Sequence, residues 1–258
     1  MSGFLEDLFS LRDRVAIVTG ASKGIGAGIA TGLAKAGAIT YGTGRSEQPD
    51  WELPPETLHY KQCDVSSAKA FQALCQALYD QHGRLDVLVN AAGITLPLNE
   101  TDTLEQRLEN FDRTIEVDMR APYACSVAAA EFMAKSGGGS IINITSINSI
   151  MGFPGNPGYV AAKGGLRLMT KGLAMDLSKH NIRVNNIAPG YVQTNMTKGS
   201  FSDPEMYQQR LRHMIVPRWG VPEDFMGAAI YLASDASSYV TAQDLFVDGG
   251  WTSKGLSS

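Results

Sequence analysis

A glycine-rich turn between a strand-like run and a helical segment constrains the fold of this chain more than any other feature. The apolar run VAIVT (15–19) leads directly into the turn, and a helical pattern follows at once. Gly20 permits a tight turn, Gly24 lets backbone approach a phosphate, and Gly26 lets the helix lie against the strand. The spacing is GxxxGxG rather than the standard GxGxxG. Their position predicts a pyrophosphate site at a helix N-terminus, where backbone N–H groups are unpaired.

Strand-like and helical segments alternate along the whole chain. Seven apolar, β-branched runs predict strands, at 15–19, 38–42, 58–62, 85–90, 140–145, 182–188 and 244–248. Apolar residues with helical spacing lie between them, at Ile25, Ile29 and Leu33, at Phe71, Leu74 and Leu78, and at Val127, Ala130 and Met133. Apolar strands that alternate with helices favour a parallel sheet covered on both faces. We therefore expect one α/β domain over 1–258, a doubly wound Rossmann-type sheet of about seven strands.

Two segments depart from this alternation. Residues 46–57 contain three prolines and leave no room for a helix, so this crossover is expected to be a loop. Residues 194–220 are polar and rich in methionine, with Pro204 and Pro217 among them. A flap inserted before the last helix is the expected structure there, and such insertions commonly lie over a binding site.

Composition excludes several classes of protein. A net charge of −4, with 19% charged residues, gives no sign of a surface for nucleic acid or anionic membrane. No apolar run approaches the length of a membrane span, and the N-terminal residues lack the pattern of a signal peptide. The three cysteines are isolated from one another and from any histidine cluster, which predicts buried thiols and no metal site. A reducing cytoplasm is the expected location.

The end of the second strand bears on which dinucleotide would bind. An acidic residue at this point accepts the ribose hydroxyl of NAD, but here Gly44 and Arg45 occupy the position. Arg45 and Lys23 together could hold a 2′-phosphate, which favours NADP(H) and leaves NAD(H) possible. The alternative is two solvated cations neutralised by nearby acids, namely Glu47, Asp50 and Glu52.

The stretch GYVAAKGG (158–165) places Tyr159 and Lys163 four positions apart, on one face of a helix. A phenol titrates near a pKa of about 10, too high for a base at neutral pH. A neighbouring ammonium and a positive nicotinamide ring favour the phenolate, so we expect them to lower this pKa. The spacing alone permits a proton-handling pair and equally permits a surface turn.

Six motifs together resemble the short-chain dehydrogenase/reductase family. They occur in the family's order and cover Leu11 to Trp251 almost completely. The motifs are TGASKGIG (19–26), CDV (63–65), NAAG (90–93), NITS (143–146), YVAAK (159–163) and PGYVQT (189–194). The tail from Arg218 to Trp251 is similar to the branch that contains gluconate 5-dehydrogenase and 2-deoxy-gluconate dehydrogenase, which act on sugar acids.

The resemblance implies a catalytic group. Tyr159 is implied as general acid/base and Lys163 as its activator, which also binds the nicotinamide ribose. Ser146 is implied to donate a hydrogen bond to the substrate oxygen, in preference to the adjacent Thr145. Asp118 stands where the family normally has an asparagine that holds a water of a proton relay. Asp118 could accept that hydrogen bond and pair with Lys163, or draw the lysine away from Tyr159; we expect activity to be retained.

The resemblance also implies which residues contact the cofactor. They are Gly20, Ser22, Lys23, Gly24, Ile25, Gly26, Arg45, Asp64, Val65, Asn90, Ala91, Gly93, Tyr159, Lys163, Pro189, Gly190, Val192 and Thr194. For Asn90 an equal alternative is a residue that joins neighbouring strands through side-chain hydrogen bonds.

The substrate is expected near the stretches that follow NAAG and Ser146, and beneath the flap. The polar candidates are Thr95, Ser146, Asn148, Asn156 and Tyr159. Candidates for binding a substrate anion are Arg210, Arg212, His213 and Arg218, with a solvated helix face as the alternative for each. Trp251 is expected either to reach a neighbouring subunit, as the family's homotetramers would allow, or to cap the core.

These features predict an NAD(P)-dependent oxidoreductase that acts on a small polar molecule, a sugar or sugar acid. Hydride would pass between the nicotinamide and a carbinol or carbonyl carbon, while Tyr159 handles the proton. One alternative is a 3-oxoacyl-thioester reductase, because such enzymes share all six motifs. A second is a non-catalytic dinucleotide-binding regulator, since a fold alone does not establish turnover.

Overall fold

A computed structural model describes residues 3–50 and 56–254. Seven parallel strands form one sheet in the order β3-β2-β1-β4-β5-β6-β7. The strands are β1 Val15–Thr19, β2 Ile39–Gly44, β3 Leu58–Gln62, β4 Val87–Asn90, β5 Gly139–Ile144, β6 Ile182–Pro189 and β7 Asp244–Val247. The predicted doubly wound sheet is confirmed, and each predicted strand overlaps an observed one.

Helices connect the strands and cover both faces of the sheet. They are α1 Phe4–Phe9, α2 Gly24–Lys35, α3 Ala68–His82, α4 Leu104–Ile115, α5 Ala121–Lys135, α6 Pro157–Leu177, α7 Lys198–Phe201, α8 Pro204–His213 and α9 Met226–Ala233. A π-helical turn, Glu116–Arg120, joins α4 to α5. None of the described helices is long and apolar enough to cross a membrane.

Two apolar layers hold the sheet between its helices, because successive side chains of a strand point to opposite faces. On β1, Val15 and Ile17 pack in the layer formed with α3 and α5, whereas Ala16 and Val18 pack in the layer formed with α2 and α9. All four are fully buried, and burial of a Val or Ile side chain stabilises a fold by roughly 1.5–3 kcal/mol. The sheet is therefore a rigid base for the loops at its ends.

The predicted apolar face of α5 is partly wrong. Ala130 and Met133 are buried as expected, but Val127 is 47% exposed. The helix instead buries Cys125 and Ala129 on the side that faces α3 and the sheet. All three cysteines are buried and unpaired, which confirms the prediction of buried thiols.

Two glycines of the first turn are required by close backbone contacts. A Cβ on Gly26 would lie 2.4 Å from the carbonyl oxygen of Gly20, so only glycine lets α2 begin this close to β1. Gly20 itself has φ of +65°, and a Cβ there would meet the backbone of Ala92 at 2.5 Å. The turn is thereby held between β1 and β4, at the point where the strand order reverses, which is where open α/β sheets bind ligands.

The two irregular segments lie where the sequence predicts them. The β2–β3 crossover has no helix in residues 45–50 and 56–57; residues 51–55 of that predicted loop lie outside the described part of the chain. The predicted flap, 194–220, contains α7 and α8 between β6 and α9. Within the described ranges no cluster of His, Cys, Asp and Glu could hold a metal ion.

Candidate active site

A cleft of about 480 Å³ opens at the carboxyl ends of the strands. Of the predicted catalytic, cofactor-binding and polar substrate-binding residues, Asn90 and Asp118 do not line it. Those that do are Gly20, Ser22, Lys23, Gly24, Ile25, Gly26, Arg45, Asp64, Val65, Ala91, Gly93, Thr95, Ser146, Asn148, Asn156, Tyr159, Lys163, Pro189, Gly190, Val192 and Thr194. The fold brings together residues that span more than two thirds of the sequence.

One end of the cleft is built from the glycine turn and the end of β2. The N-terminus of α2 carries no side-chain cap, so its first N–H groups can receive an anion that enters the cleft. Lys23 and Arg45 line this end and are both exposed. A carboxylate oxygen of Asp50 lies 3.9 Å from the Lys23 ammonium, and both side chains are exposed. An ion pair this loose neutralises only part of the charge of Lys23.

Gly44 is structurally required where many dinucleotide sites have an acid. A Cβ at this position would lie 2.4 Å from the Tyr60 hydroxyl oxygen and 3.3 Å from the Ser22 side chain. A carboxylate at this position could not enter without moving Tyr60. The end of β2 therefore presents a cation from Arg45 and leaves no space for an anionic side chain at position 44.

The other end of the cleft is organised by the start of α6. The Asn156 carboxamide oxygen accepts a hydrogen bond from the Tyr159 N–H at 3.2 Å and so caps the helix. The amide of the same side chain donates to the Thr95 hydroxyl at 2.8 Å. Tyr159 consequently lies in the first helical turn, at the cleft wall, with Lys163 one turn further into the protein.

Lys163 is buried and makes two polar contacts. Its ammonium donates to the Ile144 carbonyl oxygen at 3.0 Å and lies 3.3 Å from Oδ2 of Asp118. It also lies 5.6 Å from the centre of the Tyr159 ring. Ser146 lies just beyond the end of β5 and accepts a hydrogen bond from the Asn148 N–H at 3.1 Å. The hydroxyl, phenol and ammonium thus line one end of the same cleft.

The groups around Tyr159 act on its pKa in opposite directions. Burial raises the pKa of the phenol above its ordinary value, and the Asp118 carboxylate raises it further. Lys163 and a hydrogen bond with Ser146 lower the pKa, as expected, but they do not offset burial. The effect of the lysine on this pKa therefore has the predicted sign, and the effect of the nicotinamide ring stays a prediction.

Asp118 lies beneath the cleft in the π-helical turn Glu116–Arg120. The residue is fully buried, and its Oδ1 accepts a hydrogen bond from the Ile94 N–H at 2.8 Å. Burial raises the pKa of this carboxyl, whereas the Lys163 ammonium and the Ile94 N–H lower it. The Asp118 carboxylate therefore pairs directly with the Lys163 ammonium, which is one of the arrangements expected from the sequence. The π-turn, a feature frequent at functional sites, brings the carboxylate under the lysine.

Asn90 is used within the sheet rather than in the cleft. Its amide nitrogen donates to Asn143 at 2.8 Å, and the Asn143 amide donates to Thr170 at 2.8 Å. Thr170 then donates to Asn186 at 2.6 Å, and Asn186 donates to Asp244 at 2.8 Å. The four strand residues share one register line across β4 to β7. Geometry therefore supports the strand-joining alternative for Asn90 and not contact with the cofactor.

None of the four predicted anion-binding cations of the flap lines the cleft. Arg218 is held by Asp224 through two hydrogen bonds of 2.7 Å, which points it away from the cleft. Arg210 stacks on the Tyr191 ring at 5.1 Å. Arg212 and His213 are exposed on α8. The sequence shows that the flap contains cations. It does not show that Arg218 and Arg210 contact Asp224 and Tyr191 instead of a ligand in the cleft.

Trp251 packs within its own chain. Its ring lies 4.6 Å from that of Tyr191 and 4.3 Å from that of His213. Tyr191 also meets Trp219, which stacks on Tyr207 of α8. This aromatic group attaches the flap to the end of β6, so within its own chain Trp251 packs against the flap. A contact of Trp251 with a neighbouring subunit stays a prediction.

Arg113, near the end of α4, also lines the cleft, although the sequence pattern does not point to it. It belongs to no motif. Arg113 lies one helical turn before Val117, which also lines the cleft. That both face the cleft becomes apparent only from the position of α4 in the fold.

Comparisons with known proteins agree with this architecture. A family model described as "Enoyl-(Acyl carrier protein) reductase" matches residues 20–252. A 2-dehydro-3-deoxy-D-gluconate 5-dehydrogenase of Escherichia coli (strain K12) is 36% identical over 257 residues, covering 95% of this chain and 98% of that protein.

Solved structures are similar over the same extent. A gluconate 5-dehydrogenase from Burkholderia cenocepacia J2315, in complex with NADP and tartrate, has a TM-score of 0.89 and 32% identity, covering 97% of this chain and 100% of that one. A short-chain type dehydrogenase/reductase from Mycobacterium marinum has a TM-score of 0.88 and 30% identity, covering 96% and 99%. With the cleft and its Ser146, Tyr159 and Lys163, these matches show that the chain belongs to the short-chain dehydrogenase/reductase family.

Proposed function

We propose that this oxidoreductase interconverts a carbinol and a carbonyl carbon of a sugar acid, with NADP(H) as its cofactor. The observation that carries the proposal is the single cleft that joins Ser146, Tyr159 and Lys163 to the uncapped start of α2. Relatives named for gluconate and deoxygluconate dehydrogenation, and a similar structure solved with NADP and tartrate, support the substrate class and the cofactor.

The residues present fit the cofactor. The N-terminus of α2 would hold the pyrophosphate, Arg45 and Lys23 the 2′-phosphate, and Asp64 and Val65 the adenine end. The nicotinamide end would be held by Lys163 together with Pro189, Gly190, Val192 and Thr194. Asn90 is not among the residues that would contact the cofactor, because it lies outside the cleft. When bound, NADP(H) supplies or accepts the hydride at C4 of its nicotinamide.

Tyr159 takes the carbinol proton in oxidation and returns it in reduction. Ser146 donates a hydrogen bond to the same oxygen, which stabilises the charge that develops there. Lys163 favours the phenolate by charge and would bind the nicotinamide ribose. Thr95, Asn148 and Asn156 supply groups of the kind that bind sugar hydroxyls, and the first residues of the flap 194–220 line the same cleft.

Steady-state assays test the substrate class. We expect NADPH to form from NADP+ with sugar acids such as D-gluconate, and NADPH not to be consumed in the reverse assay with 3-oxoacyl or enoyl thioesters. Turnover confined to the thioesters would contradict the proposal and favour the thioester-reductase alternative. Tight NADP(H) binding with no turnover of either class would favour the regulator.

Arg45→Ala should change the cofactor preference. Loss of a charge-assisted contact to the 2′-phosphate is expected to raise KM for NADP+ about 10- to 100-fold and to leave KM for NAD+ nearly unchanged. Michaelis constants for both cofactors measure the effect. Lys61→Ala is a matched control, because Lys61 is an exposed cation on β3 outside the cleft. An equal rise in both constants would argue against a 2′-phosphate contact.

Asp118→Asn should shift the pH profile of oxidation while activity is retained. Oxidation requires the Tyr159 phenolate, so its rate rises as pH passes upward through the phenol's pKa. Asp118 raises that pKa, and its neutralisation therefore lowers it. The acid limb of the kcat profile is expected to move to lower pH. An unchanged profile would show that the Asp118 charge does not reach Tyr159.

The assembly and location of the protein also belong to this proposal. Large apolar side chains are exposed on α4 and α5, and a monomer in water rarely leaves such a patch uncovered. They are Leu104, Leu108, Phe111, Tyr123 and Val127. This exposure supports a homo-oligomer, and the family resemblance favours a homotetramer. The unpaired buried cysteines suit the reducing cytoplasm, and residues 1–258 act as one catalytic domain.

A further inference from the structure

We propose that Arg113 binds the carboxylate of the substrate and selects sugar acids over neutral sugars. This inference rests on the proposed function, and it adds a residue that the motifs do not include. Arg113 lies on α4 and lines the cleft together with Val117, one turn further along the chain. The lining of the cleft also includes Thr95 and Asn156, the polar groups suited to sugar hydroxyls.

Charge at this end of the cleft singles out Arg113. Within residues 3–50 and 56–254, four cationic side chains line the cleft: Lys23, Arg45, Arg113 and Lys163. Lys23 and Arg45 lie at the nucleotide end, and Lys163 is already paired with the buried carboxylate of Asp118. Arg113 is therefore the remaining cation for a substrate anion. Among the described lining residues the acidic one is Asp64, also at the nucleotide end, so the lining itself brings no carboxylate near Arg113. Glu116, which pairs with Arg113, is not one of the lining residues.

Packing places Arg113 close to the catalytic group. A Cβ on Gly158 would lie 3.4 Å from the Phe111 backbone and 3.7 Å from the Thr114 side chain. The end of α4 thus touches α6 immediately before Tyr159. Thr114 is buried in this contact, and its neighbour Arg113 is turned outward to the cleft, with 39% of its side chain exposed.

The guanidinium is held in place but retains donors for a second anion. Nη1 of Arg113 donates to Oε2 of Glu116 at 2.5 Å, an i,i+3 pair that fixes the arginine along the helix. In the described part of the chain the other guanidinium nitrogens of Arg113 make no hydrogen bond, and a carboxylate can be bound by two parallel N–H groups. Glu116 competes for the same cation, so it weakens the site while it orients the arginine.

Binding of tartrate and threitol to the enzyme saturated with NADP+ tests this site. The two probes share a four-carbon diol skeleton, and only tartrate carries carboxylates. Arg113→Gln is expected to weaken tartrate binding about 10- to 100-fold, the range for a charge-assisted contact, and to abolish its preference over threitol. Glu116→Gln should strengthen tartrate binding about two- to fivefold, because an exposed competing pair is lost. Isothermal titration calorimetry measures each Kd.

Arg120→Gln is the matched control, an exposed arginine on the same segment that does not line the cleft. Tartrate affinity unchanged in Arg113→Gln, or an equal loss of tartrate and threitol affinity, would overturn the assignment, as would weaker binding in Glu116→Gln. Because binding is measured without turnover, an Arg113-dependent tartrate site in an enzyme that oxidises no sugar acid would refute the proposed function and leave the carboxylate site standing.

Discussion

Tyr159→Phe is expected to lower kcat about 100- to 10,000-fold, the range for loss of a general acid/base. Phenylalanine keeps the ring in the cleft wall, and the Asn156 cap binds the backbone N–H rather than the phenol. The helix, the fold and the KM for NADP+ should therefore remain close to those of the wild type. Steady-state kinetics with a sugar acid measure kcat and KM, and a thermal melt measures the stability of the fold.

Tyr123→Phe is the control for this substitution, since Tyr123 is half-exposed on α5 and remote from the lining of the cleft. It should leave kcat unchanged. If Tyr159→Phe kept more than about a tenth of the wild-type kcat, well above the range for a lost acid/base, another group would have to handle the proton.

Lys163→Met should reduce both stability and activity. It leaves the Asp118 carboxylate buried with no cation 3.3 Å away, and breaking a buried pair in this way costs about 3–5 kcal/mol in the free energy of unfolding. Without Lys163 the pKa of Asp118 rises further, since the ammonium lowers it. A carboxyl whose pKa is raised on folding stabilises the fold when protonated, so the deficit should grow as pH rises above the ordinary pKa of an aspartate.

The double variant Lys163→Met/Asp118→Asn separates structure from catalysis. Asparagine removes the unpaired charge and can still accept the hydrogen bond from the Ile94 N–H, so most of the lost stability should return. Activity should stay low, because the ammonium beside Tyr159 is still absent. Urea unfolding measures stability, with Lys171→Met on the exposed face of α6 as control. A loss below about 1 kcal/mol in Lys163→Met would show that the pair is not a buried ion pair in solution.

The fold and the central catalytic residues could be predicted because they depend on local patterns. Apolar runs specify buried parallel strands, and the Tyr159–Lys163 spacing places two side chains on one helix face wherever that helix lies. The same spacing argument failed for Val127. Its period suits either side of α5, and the side that is buried is decided by packing against α3.

The remaining site residues depend on contacts between distant segments. Asn90 could join strands or touch a cofactor, and the choice follows from the position of Asn143 in the neighbouring strand. Arg113 reaches the cleft because α4 packs on α6, which no motif records. The pKa of Tyr159 depends on how far burial outweighs a neighbouring charge, and a sequence contains neither quantity.

Transfer of label from NADPH deuterated at both positions of the nicotinamide C4 tests the central claim most directly. With a 5-keto sugar acid as acceptor, we predict deuterium on the new carbinol carbon of the product, detected by NMR, and loss of this transfer in Tyr159→Phe. Two results would contradict the account: consumption of NADPH without label in the sugar acid, or transfer that persists at the wild-type rate in Tyr159→Phe.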